Sequence, residues 1–73
     1  MNYLKEKIKE KNISQSELAR RTEISQSYIS KICNGKIDFN KVKLEKLYDI
    51  ATILGIPTDE FIVNTVLRKE LLE

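Results

Sequence analysis

Apolar residues recur along the chain mostly at steps of three or four, which is the spacing of helices that bury one face. No strand-like alternation and no internal repeat interrupts this pattern. The spacing and the end signals predict five helices, over about residues 2–11, 14–22, 25–34, 40–54 and 58–72. The sequence therefore predicts an all-α fold of five helices.

Polar residues at the helix starts mark the second and third helices most clearly. Ser14 is predicted to cap the second helix while Glu17 reaches back to it, as in a capping box, and Ser25 is expected to cap the third. Gly35 and Gly55 supply the left-handed residues that end the third and fourth helices. Two short helices close together in sequence are thus well defined at both ends.

Polar residues also mark the starts of the last two helices. Asn40 is predicted to cap the fourth helix, with Phe39 packing on Leu44 across its first turn. Thr58 is predicted to cap the fifth, and its first turn holds two acidic residues, which favour the positive end of a helix dipole.

The third helix is expected to have one apolar and one polar face. Ile29, Ile32 and Cys33 share a side, and the opposite side presents Gln26, Ser27, Ser30, Lys31 and Asn34. A solvated face in so lysine-rich a chain would more often carry Glu–Lys pairs. Amide, hydroxyl and lysine groups are those that read base edges in a DNA major groove.

Charge is distributed unevenly along the 73 residues. Residues 1–46 hold eleven Lys and Arg against six Asp and Glu, whereas residues 47–73 hold two against five. The first part therefore has a net charge of +5 and the second −3, within a total of +2. A basic N-terminal surface fits a nucleic-acid partner, and an ordinary solvated lysine-rich surface remains the alternative.

Catalytic and metal-binding chemistry finds little support in the composition. The chain has no histidine and a single cysteine, Cys33, which is expected to be a small buried core residue. We expect no enzyme activity, no metal and no cofactor. With no long apolar run and a charged N-terminus, the chain is expected to be cytoplasmic.

A resemblance to a known family rests on two stretches of the sequence. QSELARRTEISQSYISKICNG, residues 15–35, is similar to the helix-turn-helix of the Cro and phage-repressor family, also called the XRE family, and DIATILGIPTDEF, residues 49–61, resembles the helices that follow it. The match covers roughly residues 4–63. It implies a lambda-repressor-like DNA-binding domain with the helix-turn-helix at helices two and three.

The resemblance implies a division of roles among polar residues. Gln26, Ser27 and Lys31 would face base edges, and the neighbouring Ser30 is taken with them; Lys31 could instead touch a phosphate. Phosphate contacts are expected from Gln15, Ser25, Asn34 and Lys36. The N-terminal charge excess adds Lys41 and Lys43, which follow the third helix, with an ordinary solvated segment as the alternative. Tyr28 could pack in the core, contact a phosphate or touch a thymine methyl group. We assign it to the phosphate set.

Two positions depart from the family pattern. Glu23 stands where the family usually has glycine, because the turn requires a left-handed residue, so the turn geometry is open. Ile8 and Cys33 occupy places where the family commonly pairs an arginine with a glutamate. Since both charged partners are replaced, Ile8 and Cys33 are predicted to form an apolar contact.

The fifth helix carries more apolar residues than one buried stripe needs. One face can dock on helix four, and another is left for a partner. We therefore divide the chain into a DNA-binding domain, residues 1–63, and a dimerisation segment, residues 64–73. The predicted dimer contacts are Ile62, Val66, Leu67, Leu71 and Leu72. The alternative is a terminal helix folded entirely onto its own core.

These observations and the resemblance together favour one function. The chain is expected to bind a specific, near-palindromic double-stranded DNA site as a homodimer and to regulate transcription, as a repressor that occludes its operator. At this length the chain is expected to leave no room for a separate ligand-binding or activation domain. The alternative is an antitoxin-type interaction module whose apolar C-terminal helix neutralises a protein partner.

Overall fold

The computed structural model describes residues 2–67, and within this range the chain contains helices and no strands. The helices are α1 (Tyr3–Glu10), α2 (Gln15–Thr22), α3 (Gln26–Cys33), α4 (Leu44–Leu54) and α5 (Thr58–Ile62). A 3₁₀ turn, Phe39–Lys41, precedes α4, and a π-helical turn, Val63–Leu67, continues α5. The prediction of an all-α, five-helix fold is confirmed.

The serines predicted to cap α2 and α3 do so. Ser14 Oγ accepts a hydrogen bond from the Glu17 N–H at 3.0 Å, and Ser25 Oγ accepts one from the Tyr28 N–H at 3.1 Å. The capping box also predicted that the Glu17 carboxylate would accept from the Ser14 N–H. Instead, Glu17 Oε1 accepts a hydrogen bond from Arg20 Nη2 at 2.8 Å. A nearby arginine on the same helix is a better partner for the carboxylate than an N–H of the preceding turn.

A single apolar core holds the helices together. The fully covered side chains include Leu4, Leu18, Ile29, Ile32, Ile50 and Phe61. Each of the short helices α2 and α3 buries three residues, which gives them the tertiary support that eight-residue helices need. α2 packs against both α3 and α4, so the second and third helices form one unit on the rest of the fold.

Asn2 links the start of α1 to the end of α3. Its Oδ1 accepts a hydrogen bond from the Lys5 N–H at 2.9 Å, which caps α1, and its Nδ2 donates to the Ile32 carbonyl at 2.7 Å. Carbonyls in the last turn of a helix lack partners within the helix. Asn2 therefore satisfies one end of α1 and one end of α3 with the same side chain.

The predicted start of α4 is wrong. The helix begins at Leu44 after Lys43, and Asn40 lies instead in the 3₁₀ turn. Phe39 packs edge-on against Phe61, with ring centroids 6.4 Å apart, so it does not cover Leu44, which is 66% exposed. The aromatic contact between distant parts of the chain decides where residues 39–41 lie.

The end of the described chain also differs from a regular helix. Thr58 is the first residue of α5 rather than its cap, because Pro57 precedes it at the cap position and no side chain caps the turn. In the π turn, Thr65 is buried and its Oγ1 donates to the Phe61 carbonyl at 2.7 Å. Val63 and Leu67 are exposed. The predicted extension of this helix to about residue 72 runs beyond the described residues.

None of the helices within residues 2–67 is by itself both long and apolar enough to cross a membrane. α4 and the segment Thr58–Leu67 reach that composition only as a pair, and the pair is bent by 116°.

Candidate nucleic-acid interface

The turn between α2 and α3 is tight and is closed by a glutamate in a left-handed conformation. Glu23 has φ 59° and ψ 27°, and its N–H donates to the Ala19 carbonyl. The Ile24 N–H reaches the same carbonyl at 3.2 Å, and the Ile24 side chain is buried. The backbone thus takes the geometry that usually needs glycine, at a cost of about 1 kcal/mol for a residue with a side chain.

Buried contacts fix α3 against α2. Leu18 and Ala19 are buried on α2, as predicted, and Ile29 and Ile32 on α3. Thr22 is buried as well, and its Oγ1 donates to the Leu18 carbonyl at 2.7 Å, so its hydroxyl is satisfied within its own helix. Because α3 buries this side, its remaining surface is held in a fixed orientation.

The outward face of α3 is polar, as the spacing predicts. Gln26, Ser27, Lys31 and Asn34 are exposed, and Ser30 is half-buried. Asn34 Nδ2 donates to Ser30 Oγ at 3.3 Å, so these two side chains are partly engaged with each other. Gln26, Ser27 and Lys31 have the more open positions on this face.

The side chains predicted to contact phosphates lie around the ends of these helices. Gln15 is the first residue of α2 and is half-buried, while Ser25 is the exposed cap of α3. Lys36 follows α3, and its N–H donates to the Lys31 carbonyl at 2.8 Å, which fixes the turn after the helix. Lys41 and Lys43 are exposed before α4.

Tyr28 has a neighbour that the sequence analysis did not identify. The Lys46 ammonium lies 4.7 Å from the centroid of the Tyr28 ring, within the range of a cation–π contact. Both side chains are half-buried, and Tyr28 also packs against the core. No local sequence signal indicates this contact, because it joins residues on different helices that only the tertiary fold brings together.

Cys33 lies in the core rather than at a reactive surface. It is 3% exposed, and burial raises the pKa of its thiol, while the charge of Lys5 acts in the opposite direction. Ile8, its predicted partner, is buried in the same cluster, and α1 packs against α3. Among residues 2–67, no group of three or more His, Cys, Asp or Glu side chains could hold a metal ion.

An apolar groove lies on another part of the surface, between the 3₁₀ turn, α4 and the π turn. It is lined by Phe39, Asn40, Val42, Leu44, Leu47, Ile62 and Val66. Three further large apolar side chains are exposed on α4 and the π turn: Tyr48 at 55%, Val63 at 45% and Leu67 at 41%. Of the predicted dimer contacts, Ile62 and Val66 line this groove and Leu67 is exposed, whereas Leu71 and Leu72 fall outside the described residues.

A family model described as helix-turn-helix matches residues 4–61, which covers α2, α3 and α4 completely and all but one residue each of α1 and α5. Comparisons with curated proteins and with solved structures gave no match. The matched range agrees closely with the residues 4–63 expected from the sequence.

Proposed function

The chain belongs to the XRE helix-turn-helix family of DNA-binding regulators, and we propose that it acts as a homodimeric repressor that occludes a near-palindromic operator. The observation that carries the proposal is the exposed polar face of α3, held rigidly by the buried face of the same helix. A preformed helix with short polar side chains is suited to enter a major groove, which admits an α-helix.

We assign base reading to the exposed polar face of α3, beginning at its first residue. The Gln26 amide can donate to and accept from adenine at once, which discriminates against other bases by about 1–3 kcal/mol. Ser27 contributes a hydroxyl beside it, and Lys31, one turn further along, can donate to guanine. Ser30 is half-buried and its Oγ accepts a hydrogen bond from Asn34, but its hydroxyl hydrogen stays available to donate, so it is kept in the base-reading set.

Phosphate contacts are proposed on both sides of the reading helix. Ser25 Oγ uses a lone pair to cap α3, which leaves its hydroxyl hydrogen free to donate to a phosphate. Gln15 lies at the start of α2, where the backbone N–H groups favour an anion. On the other side lie Asn34 and the exposed lysines Lys36, Lys41 and Lys43. These contacts would supply affinity and register without reading sequence.

Dimerisation is proposed through the apolar groove and the exposed residues next to it. Leu44 is 66% exposed and lines the groove with Ile62 and Val66, so α4 adds apolar surface to the segment predicted from the sequence. The described residues measure 33 × 24 × 22 Å. Two copies of this size side by side are compatible with half-sites about 34 Å apart, one turn of DNA.

Selection of bound duplexes from a random DNA pool at about 150 mM salt tests the proposal, because purely electrostatic binding is already weak there. We expect a two-fold symmetric motif with half-sites about one helical turn apart. Enrichment of an asymmetric motif would contradict the homodimer. Absence of any enriched motif with a folded protein would contradict sequence-specific reading and direct the search to a protein partner of the apolar groove.

A further inference from the structure

The contact between Tyr28 and Lys46 joins the reading helix to the start of α4. Tyr28 lies in the first turn of α3, directly after the two residues proposed to read bases, and its N–H is held by the Ser25 cap. Lys46 lies in the first turn of α4 and its ammonium reaches over the Tyr28 ring at 4.7 Å. The pair therefore sits beside the proposed major-groove surface rather than on a remote face.

A second lysine–tyrosine contact lies on α1, and its lysine, unlike Lys46 within the described residues, is also paired with a carboxylate. On α1, the Lys7 ammonium lies 5.3 Å from the centroid of the Tyr3 ring, and the Glu10 carboxylate is 3.2 Å from that ammonium. The hydrogen bond to Glu10 raises the pKa of Lys7 and the carboxylate cancels its charge locally. Lys7 is thus an internally paired cation.

The Tyr28 ring orients the Lys46 ammonium in a different way. A neutral ring attracts a cation through its quadrupole but carries no net charge to cancel it. Lys46 is also half-buried, which reduces the number of positions that its ammonium can take. Among residues 2–67 no carboxylate forms an ion pair with Lys46, so its charge is held in place by the ring without being neutralised there. A cation held in this way is well prepared to bind an anion.

We propose that Lys46 and Tyr28 together bind one phosphate of the DNA backbone next to the bases read by α3, an inference that rests on the proposed function. Lys46 supplies the charge, and the Tyr28 hydroxyl donates a hydrogen bond to the same phosphate. Tyr28 is then a positioning residue for Lys46 as well as a contact. The role adds Lys46 to the interface and gives Tyr28 a reason to be half-buried rather than fully in the core.

The salt dependence of DNA binding distinguishes this role from simple packing. Affinities are measured between 50 and 200 mM salt for the unchanged protein, Lys46→Met and Lys46→Arg, on a duplex carrying the selected motif, or on a random duplex if none is selected. Loss of one phosphate contact lowers the salt slope by about 0.9. The affinity advantage of the unchanged protein over Lys46→Met should therefore shrink about 3.5-fold over this range. Lys46→Arg should keep the original slope, because arginine retains the charge and stacks on aromatic rings.

Lys7→Met is the matched control, since it removes one lysine and one lysine–tyrosine contact on α1. It should leave the salt slope unchanged. An equal loss of slope in both methionine variants would overturn the proposal, because it would show only the effect of net charge. An unchanged slope in Lys46→Met would overturn it as well.

Tyr28 variants test whether the two residues act together. Tyr28→Phe should weaken binding without changing the salt slope, because it removes a neutral hydroxyl. In a Tyr28→Leu background, Lys46→Met should cost less affinity than in the unchanged protein; additive losses would overturn the coupling. Circular dichroism and thermal unfolding confirm that each variant is folded. If the unchanged protein shows no DNA binding at any salt, the proposed function itself fails, which is distinct from a failure confined to Lys46.

Discussion

At the scale of single residues, Glu23 carries backbone strain at the corner of the helix-turn-helix. Its φ of 59° lies in the left-handed region, which glycine enters without cost and other residues enter at about 1 kcal/mol. The Glu23 side chain is exposed, so it is not held there by packing. The buried Ile24 and the Ser25 cap on its C-terminal side fix the turn instead.

Glu23→Gly should therefore stabilise the protein by about 0.5–1 kcal/mol, because it removes this strain. Urea unfolding at constant pH measures the change. Glu6→Gly is the control, since Glu6 lies inside α1 with ordinary helical geometry and glycine there should destabilise by about 1 kcal/mol. Opposite signs at the two positions are expected, and destabilisation by both would contradict the strain at Glu23.

Gln26 and Lys36 are predicted to differ in how their loss affects DNA binding. Gln26→Ala should relax preference at one base position and cost about 1–3 kcal/mol on the selected site. Lys36→Ala should weaken binding to all DNA similarly and lower the salt slope by about one unit. Both effects are read from affinities on selected and random duplexes. Equal losses on the two duplexes for both variants would contradict the division of roles.

At the scale of helices, the sequence predicts helix ends that are set by residues within one turn. It does not predict helix ends that depend on contacts between residues far apart in the chain. Ser14, Ser25, Gly35 and Gly55 act within one turn of their own position, and the structure has them where the pattern predicted. The start of α4 was predicted wrongly, because the contact of Phe39 with Phe61 depends on residues far apart in sequence.

The interface shows the same division. The polar face of α3 follows from helical spacing and the buried side of the same helix, so it was predictable. The lysine that lies over Tyr28 comes from α4, and only the packing of the two helices brings it there. The apolar groove was not predicted either, because Phe39 was expected to pack on Leu44, which is exposed instead.

The rate at which a thiol reagent labels Cys33 reports how tightly α1 packs against α3. Its thiol is 3% exposed and its pKa is raised by burial, so both access and thiolate formation are suppressed in the folded protein. A thiol reagent at about pH 8 should label Cys33 far more slowly in the folded protein than in urea. Rapid labelling of the folded protein would contradict the buried contact with Ile8.

The raised pKa of Cys33 also gives a sign for the pH dependence of folding. Above the pKa of an exposed thiol, the unfolded chain loses this proton while the folded chain keeps it, so stability falls as pH rises through that range. Cys33→Ala should remove this part of the alkaline loss, as measured by unfolding at a series of pH values. An unchanged alkaline profile would assign the loss to other groups.

At the scale of the whole molecule, base reading and dimerisation are proposed for different helices, while α4 carries both Leu44 of the apolar groove and Lys46 of the proposed phosphate site. Base reading belongs to α3, and the exposed apolar residues belong to α4 and the end of α5. Association through the second surface therefore leaves the first one free. Because a dimer makes two sets of DNA contacts, even a modest apolar interface would raise the affinity for a paired site.

Leu67→Glu should weaken the dimer, because it places a charge within the proposed apolar interface. The Leu67 side chain is already 41% exposed, so the fold of the single chain should tolerate the change. Sedimentation over a range of protein concentrations measures the shift toward monomer. Ser16→Glu, which adds the same charge at an exposed position on α2, is the control. A monomer–dimer equilibrium that responds equally to both changes, or a protein that is monomeric throughout, would contradict this interface.

The side chain of Asn2 has a consequence for the order in which the protein folds. Its bond to the Lys5 N–H spans three residues and can form with α1, whereas its bond to Ile32 closes a separation of 30 residues. α2 and α3 are separated by three residues and can meet with little loss of chain entropy. We expect α2 and α3 to pack together first and α1 to dock on them afterwards. The hydrogen bond from the Asn2 amide to the Ile32 carbonyl would then form last.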